Sequence, residues 1–200
     1  MPLPAYNKSK RRTSFEQLPK DAYVLRIMGA KEERNKNNSG SHITVAFDIA
    51  EGEYSGFYNK MFEANTNEDK KWPNDAVFRI TIPTDECEEY VWTNYNTFFA
   101  DLEDSNNGFV FGGDLKTLKG KFIGGKFHIE ESEYRGQVYS HTRMKWSCVA
   151  DDVRSGKAAK SLPNDKPANS GKRNTANAPH PTSAEGWMAV PEDSEEELPF

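Results

Sequence analysis

The sequence predicts a mainly β domain, a five-stranded Greek-key barrel with one helix between the third and fourth strands, followed by a disordered C-terminal tail. Apolar residues alternate with polar ones over several short segments, which is the period of a half-buried strand. One longer segment carries its apolar residues at three- and four-residue spacing, the period of a helix. The aromatic residues, 12% of the chain, are dense between Tyr23 and Val149 and sparse afterwards.

Two strands are predicted near the start of the domain. The first covers residues 23–28, where every second residue from Tyr23 to Ile27 is apolar. Residues 31–41 are charged or turn-forming and predict a polar loop. The second strand covers residues 42–52, in which large apolar residues alternate with smaller or polar ones. These residues are Ile43, Val45, Phe47 and Ile49.

The third strand is predicted at residues 56–64, as the antiparallel partner of the second. One of its sides would hold Tyr58, Lys60 and Phe62. Residues 77–83 fit either a strand or the start of a helix, and the pattern leaves both open.

The helix is predicted at residues 84–103, because Thr84 is a suitable N-cap, acids follow in the first turn, and apolar residues then recur at helical spacing. Two further strands are predicted at residues 118–131 and 137–150, joined by a connection of hairpin length. Alternation puts two chemically different sets on the two sides of the last strand. One set is Val138, Met144, Trp146 and Cys148, and the other is Tyr139, His141, Arg143 and Lys145. We expect Trp146, like Phe62, to lie in the core.

This order of elements is the one expected of an oligonucleotide-binding (OB) barrel, with a generic five-stranded α+β sandwich as the alternative. The barrel would span residues 20–153. Residues 1–19 predict a basic N-terminal arm, with its cations at Lys8, Lys10, Arg11 and Arg12. Residues 154–191 predict a flexible polar linker, because they contain almost no large apolar residue. Residues 192–200 form an acidic tip.

The charge is unevenly distributed along the chain. The formal net charge is −5, from 31 acidic and 26 basic residues. Five of the acids lie in residues 192–200, so the rest of the chain is neutral. The tip therefore accounts for the net charge, which does not by itself exclude an anionic partner for the rest of the chain.

Catalytic and metal-binding motifs are not evident in the sequence. The histidines at 42, 128, 141 and 180 have no metal-ligand spacing, and Cys87 and Cys148 form no disulfide framework. The acids Glu130, Glu131 and Glu133 fit solvated positions better than a nuclease metal site. We expect no enzyme activity and no cofactor or metal. We also expect a cytoplasmic protein, because neither a signal peptide nor a membrane span is visible.

Cations interleaved with aromatic residues predict a surface for single-stranded nucleic acid. Lys and Arg can follow the phosphates, and aromatic rings can stack on bases of any identity. The alternative is that the rings are core and the cations a solvated outer face. The candidate DNA-binding residues are Arg26, Lys31, Tyr58, Lys60, Phe62, Trp72, Lys121, Lys126, Tyr134, Arg135, Tyr139, Arg143 and Lys145.

The C-terminal sequence EEELPF resembles the tip of bacterial and phage single-stranded-DNA-binding proteins, which end in acids followed by an apolar residue, proline and phenylalanine. The stretch GKFHIEESEYRGQVYSHTRMKW is similar to OB-type proteins of phage replication and recombination modules. This chain departs from the tip pattern in using Glu in place of Asp and Leu198 in place of isoleucine. The resemblance implies that the tip binds replication, recombination and repair proteins. The residues implied are Glu195, Glu196, Glu197, Leu198, Pro199 and Phe200.

Within that resemblance, each part of the tip has an implied role. Phe200 would enter an apolar pocket on the partner, and its carboxylate would pair with a basic residue at the rim. Pro199 would reduce the ordering cost, and the three glutamates would meet a basic patch. The acidic tip could also fold back and compete for the domain's own DNA groove.

The function expected from the sequence is binding and protection of single-stranded DNA without strong sequence preference during phage replication or recombination. The first alternative is a protein-interaction adaptor with an OB-like domain that binds no DNA. A carboxylate-metal nuclease is a second alternative. Oligomerisation is left open.

Overall fold

A computed structural model describes residues 17–35 and 40–168, and these form a mainly β structure around one five-stranded antiparallel sheet. The strands occur in the order β3-β2-β1-β4-β5 across the sheet. Their bounds are β1 (Ala22–Arg34), β2 (Ser41–Ile49), β3 (Val77–Thr81), β4 (Phe122–Tyr134) and β5 (Gln137–Cys148). The prediction of a mainly β domain with five strands is confirmed.

The sheet is open between β3 and β5, which are its two edges. The predicted closure into a barrel is therefore not made by backbone hydrogen bonds. Helix α2 (Glu89–Asp104) follows β3 and precedes β4, and it buries Phe98, Phe99 and Leu102 from its C-terminal half against the sheet. It begins five residues after Thr84, the predicted N-cap.

The prediction of a strand at residues 56–64 is wrong, because this segment is helix α1 (Phe57–Ala64). The carboxylate of Asp48 at the end of β2 accepts hydrogen bonds from the backbone N–H groups of Ile49 (2.9 Å) and Tyr58 (3.0 Å). Gly56 supplies the left-handed conformation (φ 73°) that starts the helix. The actual third strand is β3, which resolves the ambiguity over residues 77–83.

The loop predicted at residues 31–41 is shorter than expected. β1 continues to Arg34, and its polar end pairs with the start of β2, with Lys31 opposite Thr44 and Arg34 opposite Ser41. On the β2 side this segment also pairs with β3, with Thr44 opposite Arg79, and Ile43 is buried in the core, whereas Lys31, Glu32 and Arg34 on β1 are exposed. We call residues 31–34 and 41–44 the first ribbon.

The second hairpin extends beyond the core, with residues 132–140 exposed, and it is closed by a two-residue turn. Arg135 (φ 49°) and Gly136 (φ 76°) both take left-handed conformations between β4 and β5, as a tight antiparallel hairpin requires. We call residues 130–141 the second ribbon.

Ordered contacts continue past residue 153, where the sequence placed the end of the domain. Helix α3 (Ala150–Arg154) is followed by a segment, residues 158–168, that lies along β4 and that we call the strap. The backbone N–H of Lys166 donates to Ile129 (2.9 Å), and Glu131 donates to Lys166 (2.8 Å). Residues 154–168 of the predicted linker therefore contact the sheet, whereas residues 169–191 lie outside the described residues.

At the other end of the chain, the last residues of the predicted arm also pack on the domain. Leu18 is buried, and its carbonyl accepts a hydrogen bond from the Thr142 hydroxyl. Gln17 Nε2 donates to the hydroxyls of Thr142 (3.1 Å) and Ser140 (3.3 Å). Residues 1–16 lie outside the described residues. Among the described helices, none is both long and apolar enough to cross a membrane.

Candidate nucleic-acid interface

The outward side of the β4–β5 hairpin carries a row of aromatic and cationic side chains. Cross-strand pairing puts Tyr139 opposite Ser132, His141 opposite Glu130, and Arg143 opposite His128. Residues two apart on a strand share a side of the sheet, so these residues follow one another along one surface. We call this surface the ribbon face. Its members are Lys126, Tyr134, Tyr139, His141, Arg143 and Trp146.

Trp146 lies on the ribbon face because of an irregularity in β5. Phe127 pairs with Met144 and Lys126 pairs with Trp146, so Lys145 has no partner position on β4. Such a bulge shifts the alternation by one residue. Met144 consequently points into the core (8% exposed), while Trp146 is 49% exposed beside Lys126. The prediction that Trp146 belongs to the core is therefore wrong.

The tip of the second ribbon exposes two tyrosines. Tyr134 and Tyr139 are 46% and 43% exposed. The Arg135 guanidinium lies 5.2 Å from the centre of the Tyr134 ring, and the Tyr139 hydroxyl donates to Gln137 (2.8 Å). A ring next to a cation is suited to bind a base and the adjacent phosphate. The structure thus brings together the predicted residues Tyr134, Arg135 and Tyr139.

Arg143 is held in a network of ion pairs that crosses the open edge of the sheet. Its Nε lies 2.9 Å from Oδ1 of Asp75, and its guanidinium also lies 3.3 Å from Oε2 of Glu130. The Nδ1 atom of His141 lies 3.1 Å from Oδ2 of Asp75. Asp75 belongs to the short 3-10 helix Asn74–Ala76 that leads into β3. We call Asp75, Glu130, His141 and Arg143 the clasp, because they connect β3 to β4 and β5 without a backbone ladder.

The clasp shifts the pKa values of its members. The hydrogen bond that the His141 ring donates to the Asp75 carboxylate raises the pKa of His141 above its ordinary value, despite partial burial. Burial raises the pKa of the Asp75 carboxyl, but hydrogen bonds from His141 and Arg143 outweigh burial and hold this pKa below its usual value. Arg143 therefore has a structural role in addition to any contact with a ligand.

A groove of about 730 Å³ lies between the two edges of the sheet, and we call it the edge groove. β3 forms one wall, the N-terminal half of α2 contributes Tyr90, and β4, β5 and the strap form the other wall. Among its described lining residues, five are cationic and one, Glu130, is acidic. The cations are Arg79, Lys126, Arg143, Lys145 and Lys166. Residues 20–153 carry 16 basic and 23 acidic side chains, a net charge of −7, yet the charged lining of this groove is mostly cationic.

Sequence reasoning missed four groove residues, namely Arg79, Tyr90, Trp146 and Lys166. Tyr90 is 62% exposed, although it is one of the apolar residues that recur at helical spacing in residues 84–103. Arg79 alternates with buried Ile80 on β3, so a firm strand prediction for residues 77–83 would have identified it. No local signal marks Lys166, because its position depends on strap contacts formed across 36 residues of sequence.

Several predicted DNA contacts lie away from the ribbon face and the edge groove. Tyr58 is 2% exposed in the core, so it cannot stack on a base, and its hydroxyl has no hydrogen-bond partner among the described residues. Lys60 donates to the Ser55 carbonyl at 3.0 Å. Lys31 pairs with Glu33 at 2.8 Å on the first ribbon.

The remaining predicted residues are similarly separate. Phe62 packs on Trp72, with 5.4 Å between the ring centres, and the Trp72 indole donates to the Phe47 carbonyl (3.2 Å). The Lys121 ammonium lies 4.5 Å from the centre of the Phe109 ring. Arg26 is exposed on β1, opposite Asp48. The tip residues 195–200 lie outside the described residues.

The three acids proposed for a nuclease site do not converge. Glu130 and Glu131 are consecutive strand residues and point to opposite sides. Glu130 is engaged by Arg143 and Lys166, while Glu131 accepts a hydrogen bond from the Ala168 N–H (3.4 Å). Within residues 17–35 and 40–168, no three His, Cys, Asp or Glu side chains are grouped so as to hold a metal ion.

Comparison with known proteins adds no assignment to this geometry. Neither a protein-family model nor a curated protein sequence matches the chain. The residues of the ribbon face and the edge groove are therefore the basis for a functional proposal.

Proposed function

We propose that this protein binds single-stranded DNA along the ribbon face and in the edge groove. The observation that carries the proposal is that one side of the β4–β5 hairpin exposes Tyr134 and Tyr139 at the ribbon tip and Trp146, beside Lys126, at its base. Exposed rings and cations in one row are the combination that binds unpaired bases and their phosphates. In a duplex the bases are stacked on one another, so they are not available to stack on these rings.

The strand order also supports an OB-type domain. An OB fold is a five-stranded, partly open Greek-key barrel. With the strand order β3-β2-β1-β4-β5, a barrel would close by bringing the edge strands β3 and β5 together. The clasp joins these two edges through side chains. In this proposal the protein acts in the cytoplasm, where it coats exposed single strands during phage replication or recombination.

The acidic tip would recruit the partner enzymes. Residues 192–200 supply five acids and end in Leu198, Pro199 and Phe200, which suits a partner with an apolar pocket and a basic rim. The last described residue of the strap, Ala168, lies beside Glu131 on β4.

The direct test is a titration of a fluorescently labelled oligo-dT with the full chain, followed by fluorescence anisotropy. We expect saturable binding at low salt, reversal by added salt, and weak competition by duplex DNA. A protein-interaction adaptor would leave the anisotropy unchanged at all salt concentrations.

A further inference from the structure

The wall of the edge groove formed by β3 presents backbone hydrogen-bonding groups. The N–H of Ile82 donates to Ser41 (3.0 Å), and Thr81 is opposite His42. In an antiparallel ladder, hydrogen-bonded and non-hydrogen-bonded pairs alternate. The backbone N–H and C=O groups of Thr81 and Arg79 therefore point away from β2, toward the groove.

The opposite wall presents an aromatic surface. The bulge at Lys145 places the half-exposed indole of Trp146 in the groove, and Tyr90 of α2 lines the same space. An indole face can stack on a flat heterocycle, while the strand edge can hydrogen-bond to the periphery of that heterocycle. A nucleobase has both features, a π face and an edge of donors and acceptors.

The charges in the groove favour the same kind of ligand. Lys126 is directly opposite Trp146 across the β4–β5 pair, and Arg79 lies on the facing wall. Phosphates on either side of a bound base would thus meet cations. The volume of about 730 Å³ is within the range of small-molecule sites in proteins.

We propose that the edge groove is a base-reading site, in which one nucleobase of the bound strand stacks on Trp146 and hydrogen-bonds to the free backbone edge of β3. This inference rests on the proposed function, and it adds a base preference to it. The tyrosines of the ribbon tip stack on any base, whereas the N–H and C=O groups of Arg79 and Thr81 distinguish bases by their edges.

The stacking half of the proposal is tested with Trp146→Ala and the matched variant Trp92→Ala, which removes an indole that is 40% exposed on α2 but does not line the groove. Anisotropy with labelled homopolymers gives the affinities, and thermal melts check folding. Loss of one stacked base weakens binding about 5- to 150-fold. We expect this loss for Trp146→Ala and no change for Trp92→Ala. Equal effects of the two variants would overturn the proposal.

The second part of the proposal, that the backbone edge of β3 distinguishes the bases, is tested by comparing Thr81→Pro with Thr81→Val. Proline removes the N–H that points into the groove but no hydrogen bond to β2, and an edge strand tolerates proline at such a position. Valine keeps the N–H. We expect the wild type and Thr81→Val to distinguish oligo-dT, oligo-dC and oligo-dA, and Thr81→Pro to lose most of that difference.

The outcomes separate this proposal from the function on which it rests. Equal affinity of the wild type for all three homopolymers, or identical base preference in the two Thr81 variants, would overturn base reading and leave single-strand binding standing. Absence of binding to every homopolymer would overturn the proposed function itself. A mononucleotide that binds as tightly as the oligonucleotide would show that the groove serves a free nucleotide, which also contradicts the proposal.

Discussion

The two ribbons are both hairpin ends, but β3 pairs with the β2 side of the first ribbon, whereas residues 132–140 of the second ribbon are exposed on both strands. In the first ribbon the side chains satisfy one another: Glu33 pairs with Lys31 and accepts a hydrogen bond from the Thr44 hydroxyl. In the second ribbon Tyr134 and Tyr139 are exposed to nearly half of their area. Burying the exposed rings of the second ribbon against bases would be favourable in free energy. The first ribbon has no comparable gain, because its Lys31, Glu33 and Thr44 side chains are already paired with one another. Our proposal therefore assigns DNA binding to the second ribbon and not to the first.

The largest effect is expected from removing the aromatic tip. The double variant Tyr134→Ala/Tyr139→Ala should weaken binding to oligo-dT by at least about 30-fold, because each stacked base contributes about 1–3 kcal/mol. The matched change on the first ribbon, Lys31→Ala/Arg34→Ala at two exposed residues, should leave the affinity within about twofold. Anisotropy titrations measure both variants. Comparable losses in the two would refute the distinction between the ribbons.

A smaller effect is expected from the groove cations, and it should show in the salt dependence. Lys126→Gln/Lys145→Gln should reduce the slope of log affinity against log salt by about 1.4, since each phosphate contact to a single strand contributes about 0.7. Lys31→Gln/Arg34→Gln on the first ribbon should not change the slope. Titrations at four or five salt concentrations give these values. An unchanged slope for the Lys126/Lys145 variant would exclude phosphate contacts in the edge groove.

Deletion of residues 192–200 should tighten binding severalfold at low salt and have no effect at high salt, because a tethered acidic segment competes with DNA for the same cations. Deletion of residues 198–200 alone keeps all five acids, and it should leave DNA affinity unchanged while removing partner binding. If the longer deletion leaves the low-salt affinity unaltered, the tip does not compete for the groove.

The smallest effect concerns the clasp and its pH dependence. The pKa of His141 is raised in the folded state, so protonated His141 stabilises the fold below the ordinary histidine pKa of about 6.5, and this stabilisation is lost as pH rises through the raised pKa. Partly exposed ion pairs contribute about 1 kcal/mol at most. His141→Gln should therefore be less stable than wild type at pH 5.5 and closer to it at pH 8.5.

Urea unfolding at the two pH values measures this difference. The control is His42→Gln on the first ribbon, where His42 contacts Asn35 (2.7 Å) but is not part of the clasp. If the free energy of unfolding depends on pH in the same way in His141→Gln and in wild type, the charge of His141 does not contribute to the stability of the clasp.

Local pattern was sufficient to predict β2, the β4–β5 hairpin and the apolar half of α2, because each has a clear period and its own turn residues. It failed for residues 56–64, where alternation suggested a strand. There the contact between Asp48 and the Tyr58 N–H, made across ten residues, favours a helix. Such tertiary hydrogen bonds override weak local propensity.

The candidate site was predicted only where it depends on strand alternation. Tyr139 and Arg143 share a side of β5, as the alternation indicates. Trp146 was misplaced because a single-residue bulge cannot be recognised from alternation alone. The edge groove forms between β3, α2 and β5, which are distant in sequence. The residue pattern within each element does not predict that these elements lie side by side.

The most direct test of the account is a two-dimensional NMR spectrum of the ¹⁵N-labelled chain before and after addition of oligo-dT. We expect the backbone amides of Tyr139 and Arg143 and the indole N–H of Trp146 to shift, and the backbone amides of the first ribbon at Lys31 and Arg34 to stay in place. Shifts confined to the first ribbon, or absent from the second, would contradict the assignment of DNA binding to the ribbon face.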